Sequence, residues 1–190
     1  MFVYLANKIT MVLINYEIIG KEDEEIYRYG FEMLIYFIVN LSIAVFIGIL
    51  FHKFIHTLLF LGCYCTIRQF TGGYHANSYT KCTLIFTIIY LVTVLLTNNL
   101  EVDKMKIPLL ILLIISLIII YRFAPLDHRN KPLSEEEKKQ YKNVAINLVK
   151  VIGMLIGITL ILDIFTTYIF YPVCAIIWID ILLVVGRYKK

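Results

Sequence analysis

The chain has 190 residues, of which 60% are hydrophobic and only 17% carry a charge, and its mean hydropathy is +0.80. These proportions exclude an ordinary soluble domain and indicate an integral membrane protein. The net charge is only +4, and no basic surface with interleaved aromatic residues indicates nucleic acid as a partner.

The N-terminal segment, residues 1–28, is predicted to be an amphipathic helix at the membrane interface. Its apolar residues recur at steps of three and four, with lysine, asparagine and glutamate residues between them. Packing on the protein's own helices explains this pattern equally well, so both interpretations stay open. The acidic run at residues 22–25 is expected to be a solvated turn. No signal peptide is expected, since no basic region precedes a compact apolar stretch with a cleavage site.

Six apolar segments follow, and they predict an all-α polytopic membrane protein with a single domain over residues 1–190. A bilayer core of about 30 Å needs roughly 20 helical residues. The five clearest segments are 31–51, 83–97, 107–121, 145–165 and 168–186. The remaining segment, 54–67, would be only about 21 Å long as a helix, so it either re-enters the membrane or recruits neighbouring residues.

Basic residues are distributed unevenly between the two sides of the membrane. If all six segments cross, one side carries both termini, residues 68–82 and a loop over residues 122–143, and it holds most of the 18 Lys and Arg residues. The positive-inside rule makes that side cytoplasmic in a multi-pass protein of the cell membrane. Ser134 and Glu137 form a capping-box pattern, which predicts the start of a helix within the loop. Six segments in 190 residues make a thin bundle, which favours self-association to bury helix faces. We therefore expect a homodimer within the lipid bilayer.

All four cysteines lie in or beside apolar segments, namely Cys63, Cys65, Cys82 and Cys174. No disulfide framework is expected, because the hydrophilic loops face mainly a reducing compartment. All but Cys82 are expected to serve in packing. His52 and His56 are one helical turn apart, which would suit a metal, but no Glu of an H-E-x-x-H motif lies between them. We expect no metal or organic cofactor.

A polar island, residues 68–82, is predicted to be a catalytic loop followed by a helix start, and it holds His75 and Cys82. The thiolate is the attacking form of cysteine and a nearby imidazole can generate it, so the pair predicts a nucleophile with its base. On one straight helix, residues seven apart lie about 10.5 Å apart along the axis, which is too far for contact. Gly72 and Gly73 supply the conformational freedom for the bend that contact requires.

Residues 77–78 offer N-cap chemistry for a helix that begins near Tyr79. Cys82 would lie in the first turn of that helix, where the positive end of the dipole favours a thiolate. Backbone amides at this helix start, or at the bend of residues 72–73, are candidate oxyanion donors. A buried membrane thiol beside an interfacial histidine explains the same residues without any catalysis.

Two polar motifs occur in a fixed order along the chain. The first comprises Arg68, Gly72, Gly73, His75, Ala76 and Cys82, and the second comprises Ala124, Pro125, Leu126, Asp127, Asn130, Lys131, Pro132 and Leu133. In this order and separation they resemble the motifs of the accessory gene regulator protein B family, which are membrane endopeptidases that process quorum-sensing peptides in Gram-positive bacteria. The resemblance covers nearly the whole chain, including the amphipathic N-terminus and the order of the spans.

The resemblance implies a cysteine endopeptidase that removes the acidic C-terminal region of a signal-peptide precursor. Cys82 would attack the scissile carbonyl and form an acyl-enzyme, while His75 takes the thiol proton and returns it to the leaving amine. A thiol or hydroxyl of the peptide would then capture the acyl group and close a thiolactone or lactone ring. Scarce water at a membrane-embedded thioester favours ring closure over hydrolysis.

Supporting roles at this site are open. Asp127 and Gln69 are candidates to orient His75, although Asp127 equally suits the start of a cytoplasmic turn. Three basic residues suit an acidic precursor tail, or only mark the cytoplasmic side: Arg68, Arg129 and Lys131.

Two other functional classes also remain open. Asp163 and Asp180 lie in apolar segments, where ionisable groups are costly and often functional. They leave room for a membrane aspartyl peptidase, which needs two carboxylates that share a proton. A transporter or chaperone that only presents the precursor is the other class, although no internal repeat supports it.

Overall fold

The computed structural model describes residues 2–74, 78–97, 102–126 and 133–188. The α-helices in these ranges are α1 (Phe2–Asn15), α2 (Glu24–Leu50), α3 (Phe54–Thr71), α4 (Tyr79–Thr97), α5 (Val102–Phe123), α6 (Glu135–Leu162) and α7 (Phe170–Tyr188). These ranges contain no β-strand, and five of the helices, all except α1 and α3, are long and apolar enough to cross a membrane. The predicted all-α polytopic membrane fold is confirmed.

Helix α3 contains the short apolar segment 54–67, for which the sequence left open whether it re-enters the membrane or recruits neighbouring residues. It has 18 residues and is about 27 Å long, because it continues past the apolar stretch to Thr71. Near its start, His56 packs against Tyr168, which precedes α7. Just after its end, Gly72 pairs with Leu126, which follows α5. The helix therefore recruits neighbouring residues and runs from one end of the bundle to the other.

The helix predicted over residues 1–28 is wrong in extent. Helix α1 ends at Asn15, and residues 24–25 are the first turn of α2, where carboxylates favourably meet the positive end of the helix dipole. The residues of α1 that are buried against the bundle are spaced by four: Phe2, Ala6 and Thr10. Its other faces expose large apolar side chains such as Tyr4 and Met11. Packing on the bundle is therefore confirmed for this face, and contact of the other faces with the membrane interface stays a prediction.

Helix α7 lies at the centre of the bundle. In its most apolar window 67% of the residues are buried, against 17–28% in the other four candidate spans. Helices α3 and α5 pack most extensively on it. Many large apolar side chains of the outer helices are exposed, as a bilayer permits because lipid tails are equally apolar.

Polar contacts also tie these helices together. The hydroxyls of Thr57 on α3 and Tyr90 on α4 are hydrogen-bonded at 2.5 Å. The Trp178 indole Nε1 on α7 donates to the Thr93 hydroxyl on α4 at 3.0 Å. These buried polar side chains find partners on neighbouring helices, which offsets the cost of burying them in an apolar surrounding.

The predicted capping box begins α6. Ser134 Oγ accepts from the Glu137 amide at 3.2 Å, and the Ser134 amide donates to Glu137 Oε2 at 2.8 Å. Residues 135–143 of the predicted loop 122–143 are consequently helical. Helix α5 begins at Val102, earlier than predicted, and keeps Pro108 inside it.

Candidate functional site

The bend predicted at the two glycines is present directly after α3. Gly72 has φ 65° and ψ −146°, and Gly73 has φ 132°, conformations that residues with a side chain rarely adopt. A Cβ on Gly72 would overlap the Leu126 carbonyl oxygen, and one on Gly73 would overlap the Arg68 guanidinium. The backbone conformation therefore requires glycine at both positions, and at Gly72 the fixed Leu126 carbonyl also leaves no space for a side chain.

The bend also joins the two sequence motifs. The Leu126 amide donates to the Thr71 carbonyl at 2.9 Å, and Gly72 pairs with Leu126 as an isolated parallel bridge. These motifs are more than forty residues apart in the chain, and their spacing alone did not indicate contact. The end of α3 and the segment after α5 are thus held together through backbone atoms.

Helix α7 forms the third side of this arrangement. The Tyr74 amide donates to the Leu182 carbonyl at 2.8 Å. A Cβ on Gly186, one turn further along α7, would lie 2.7 Å from the Tyr74 nitrogen. The chain after the bend therefore lies directly on α7. This close approach at Gly186 was not predicted. The only sign of it in the sequence is a small residue near the end of an apolar helix.

The Arg68 side chain stabilises the bend through hydrogen bonds to its backbone carbonyls. It lies in the last turn of α3, so the polar island begins as helix and not as the predicted loop. Its Nη1 donates to the Gly72 carbonyl at 2.6 Å and its Nη2 donates to the Tyr74 carbonyl at 2.7 Å. The planar guanidinium suits this two-pronged contact. The sequence suggested two roles for Arg68, contact with an acidic precursor tail and marking of the cytoplasmic side. It did not suggest that Arg68 stabilises the bend.

Cys82 lies in the first turn of α4, which begins at Tyr79 as predicted. Ser78 Oγ accepts from the Lys81 amide at 3.3 Å, and the Cys82 amide donates to the Ser78 carbonyl at 3.1 Å. Ser78 therefore caps the helix, as the polar pair at 77–78 predicted. The Cys82 side chain is half-buried.

The surroundings of Cys82 are phenolic. The tyrosines within electrostatic range of its thiol come from three helices: Tyr36, Tyr64 and Tyr79. The first two also lie within range of Arg68. These tyrosines were not predicted, because an aromatic residue in an apolar span looks like a packing residue. The four-residue step from Tyr64 to Arg68, which puts both on one face of α3, was the one usable signal.

Helix α1 covers this cluster. The Phe2 ring lies 6.4 Å from the Tyr36 ring and 5.8 Å from the Tyr79 ring, and the two tyrosine rings are 5.7 Å apart. All distances are between ring centroids. The N-terminal helix is therefore part of the wall next to Cys82.

Several predicted site residues lie outside the described residues: His75, Asp127, Arg129 and Lys131. The residues directly before the first two, Tyr74 and Leu126, are both held by backbone hydrogen bonds. Gln69 lies in the last turn of α3 and is exposed. The roles assigned to all five residues stay predictions.

The expected oxyanion donors divide into two groups. At the bend, the Gly72 amide already donates to the Arg68 carbonyl at 3.0 Å, so this amide is used structurally and the expectation for it is wrong. At the start of α4, the amides of residues 79–80 precede the first bond within the helix, which Cys82 makes to Ser78. The helix start is therefore the better candidate for holding an oxyanion.

Cys65 lies within electrostatic range of Tyr64 and so beside the site, whereas His56 lies at the opposite end of the bundle. Cys63 and Cys65 pack against the buried core, and all four cysteines lie in the described ranges without a disulfide among them. The His56 ring lies 4.7 Å from the Tyr168 ring and 4.9 Å from the Tyr171 ring. This contact gives His56 a packing role at the opposite end of the bundle.

The two intramembrane carboxylates do not form a pair. Asp163 ends α6, is exposed, and accepts from Lys106 Nζ at 2.8 Å. Asp180 is buried in α7, about 15 Å along the axis from the start of that helix at Phe170, and Ser116 faces it. Asp163 lies at the end where α7 begins, so the two carboxylates are too far apart to share a proton.

Comparison with known proteins gives a consistent result. The model of the family Accessory gene regulator B matches residues 6–185. A putative AgrB-like protein of Clostridium perfringens (strain SM101 / Type A) is 30% identical over 141 residues, which are 72% of this chain and 64% of that protein. Accessory gene regulator protein B of Staphylococcus epidermidis is 29% identical over 121 residues, 64% of this chain and 61% of that protein.

The chain thus matches less than two thirds of the length of these relatives. No solved structure matches it.

Proposed function

Because the chain belongs to the accessory gene regulator B family, we propose that it is a membrane-embedded cysteine endopeptidase. Its substrate is a quorum-sensing signal-peptide precursor, from which it removes the C-terminal region. One observation carries the proposal: Cys82 is half-buried at a helix start, among hydrogen-bonding side chains, at the end of the bundle where the two sequence motifs meet. A cysteine that serves only in packing needs none of these surroundings.

The reaction follows from the groups that are available. His75 takes the proton from Cys82 Sγ, and the thiolate attacks the scissile carbonyl. The oxyanion that forms is stabilised by amides of residues 79–80 and by the Tyr36 hydroxyl. The C–N bond then breaks, the amine leaves with the proton that His75 held, and the precursor's N-terminal part stays on sulfur as a thioester.

Ring closure completes the cycle. A thiol or hydroxyl within the tethered peptide loses its proton to His75 and attacks the thioester carbonyl. The bond to Cys82 breaks, and the departing thiolate regains a proton from the imidazole. The tethered nucleophile acts at high effective molarity, and the thioester keeps much of the acyl activation, so a thiolactone forms at little cost.

The fixed backbone explains how this chemistry is positioned. His75 follows directly after Tyr74, whose amide is bonded to α7 and whose carbonyl is bonded to Arg68. Cys82 is fixed by the first turn of α4. Cys82 and the residue directly before His75 are therefore both held by rigid elements, which supports a low entropic cost for bringing the two groups together.

The basic residues support an orientation with this end in the cytoplasm. Helix ends on the same side as the bend carry Arg68, Arg122 and Arg187, and the first turns of α6 carry Lys138 and Lys139. By the positive-inside rule we place both termini and the site in the cytoplasm of the cell. Self-association as a homodimer stays a prediction.

The test is cleavage of a precursor peptide by the full chain in proteoliposomes. Cys82→Ala and His75→Ala are each expected to abolish cleavage, whereas Cys63→Ala, which changes a packing cysteine on α3, should retain it. Undiminished cleavage by Cys82→Ala would contradict the proposal. Tight binding of the precursor by the unaltered chain, without cleavage, would instead identify a carrier.

A further inference from the structure

A groove lies on the flank of the bundle between α5 and α6, with a volume of about 570 Å³. Its main lining residues are Leu117, Ile118 and Tyr121 on α5 and Asn143, Asn147 and Lys150 on α6. We call it the flank groove. None of the described residues around Cys82 lines it. Helix α3 contacts both regions: its Phe70 ring packs edge-on against the Tyr141 ring of α6 at 5.6 Å, and its Tyr64 lies within electrostatic range of Cys82.

The polar side chains of the flank groove form one stripe. Asn143, Asn147 and Lys150 are spaced by four and three residues, so they share a face of α6, and all three are exposed. The apolar part of α6 begins near residue 145, so Lys150 lies roughly 8 Å beyond its start. Exposed amide and ammonium groups at this depth are costly against lipid tails, so this face needs a polar partner.

The charge of the flank groove selects the kind of partner. Lys142 Nζ lies 4.5 Å from the centre of the Tyr121 ring at the mouth, and Lys150 lies deeper. The acidic residues of α6 are confined to its first turn, where Glu135 already pairs with Lys138 at 2.8 Å. Two ammonium groups and two amides together favour an anionic occupant that accepts hydrogen bonds.

A second copy of the chain fits this face poorly. In a two-fold dimer the same surface meets itself, so Lys142 and Lys150 of one copy would approach those of the other in a medium of low dielectric constant. Leu117 and Ile118 on α5, by contrast, form an apolar wall opposite the polar stripe of α6. A groove with one polar wall and one apolar wall matches a molecule with an anionic head and a hydrocarbon chain.

We propose that the flank groove binds one anionic phospholipid from the leaflet at the end of the bundle that carries Cys82. The phosphate accepts hydrogen bonds from Asn143 and from the two lysines, with Lys150 extending its side chain upward to reach it. An acyl chain lies along Leu117 and Ile118 and continues over the lipid-facing surface. This inference does not depend on the proposed peptidase activity.

The test counts lipids that stay bound. The full chain is reconstituted in nanodiscs of equal phosphatidylglycerol and phosphatidylcholine, released into mild detergent and measured by native mass spectrometry. We expect one retained phosphatidylglycerol per chain and no retained phosphatidylcholine. Lys150→Met should lower the retained fraction by about tenfold, as expected for loss of a charge-assisted hydrogen bond, and Lys150→Arg should preserve it.

The matched control is Lys8→Met, which removes an exposed cation of α1 outside the flank groove. It should leave the retained fraction unchanged, and thermal melts followed by circular dichroism should show all variants folded alike. Equal retention of both lipids, or equal loss in Lys8→Met and Lys150→Met, would overturn the proposal. So would a dimer that dissociates in Lys150→Met, since the occupant would then be a second copy.

Discussion

The two ends of the bundle are built differently. At the end with Cys82, backbone atoms join three elements, through Thr71 with Leu126 and Tyr74 with Leu182. At the opposite end, side chains make the contacts, and the exposed ion pair of Lys106 with Asp163 is typical. The first arrangement tolerates little change because it depends on glycine and on fixed carbonyl positions. The second can be altered one side chain at a time.

This difference predicts where substitutions do harm. A substitution at the end with Cys82 should reduce the proposed activity even when the changed residue never touches substrate, because it displaces the described backbone directly before His75, the proposed base. A substitution at the opposite end should change stability slightly and activity hardly at all. Variants at both ends therefore test the comparison directly.

The largest effect is expected from Gly72→Ala. The new Cβ would overlap the Leu126 carbonyl, and φ 65° with ψ −146° is strained for alanine by roughly 1–3 kcal/mol. Cleavage of a precursor in proteoliposomes should fall about thirtyfold, because about 2 kcal/mol is the middle of this range and 1.4 kcal/mol corresponds to a factor of ten. Gly62→Ala on α3 is the control, because a Cβ there meets nothing within 4 Å. Similar activities for the two variants would refute the requirement for glycine at the bend.

The next effect is expected from Arg68→Lys. Lysine keeps the positive charge but cannot donate to the Gly72 and Tyr74 carbonyls with a planar fork. Loss of one charge-assisted bond, worth about 1.5–3 kcal/mol, should lower kcat about tenfold or more. The amide of Tyr74 should also exchange its hydrogen faster, which mass spectrometry of deuterated peptides measures. Normal kcat with slow exchange would show that charge alone is needed.

A smaller effect is expected from Tyr36→Phe. The ring still packs on Phe2 and Tyr79, but the hydroxyl near Cys82 is lost. If this hydroxyl donates to the oxyanion, kcat should fall by up to about tenfold, as for one ordinary hydrogen bond of about 0.5–1.5 kcal/mol. KM should stay constant, because that bond forms only in the transition state. Tyr16→Phe, at an exposed position beyond α1, is the control. A rise in KM alone would assign Tyr36 to substrate binding instead.

The smallest effect is expected at the opposite end. Lys106→Met and Asp163→Asn each break the exposed ion pair, which contributes at most about 1 kcal/mol to stability. Cleavage should stay within about twofold of the unaltered chain, and the melting temperature should change little. A large loss of cleavage in either variant would show that the two ends are coupled, against the comparison drawn above.

Local features of the site could be predicted from the sequence. The Gly72 and Gly73 pair indicated a bend, and residues 77–78 indicated the start of α4, because these residue types act through their own backbone or the next turn. The capping box at Ser134 was predicted for the same reason. Each of these signals depends only on residues within one turn.

Features that depend on packing between helices could not be predicted in this way. The contact of Gly72 with Leu126 and the approach of Gly186 to Tyr74 arise from how α3, α5 and α7 pack, which periodicity does not encode. The tyrosines around Cys82 come from different helices, so no spacing in the chain brings them together. The extent of the N-terminal helix was misjudged because the apolar periodicity continues past Asn15, where the helix ends.

The most direct test of the account is the intact mass of the protein after mixing with a precursor whose ring-forming thiol or hydroxyl has been replaced by alanine. Without that internal nucleophile the acyl-enzyme should accumulate, and we predict a mass increase equal to the N-terminal part of the precursor, located on Cys82 and removed by hydroxylamine. Release of the C-terminal part with no adduct on Cys82, in samples quenched in acid throughout the reaction, would contradict it.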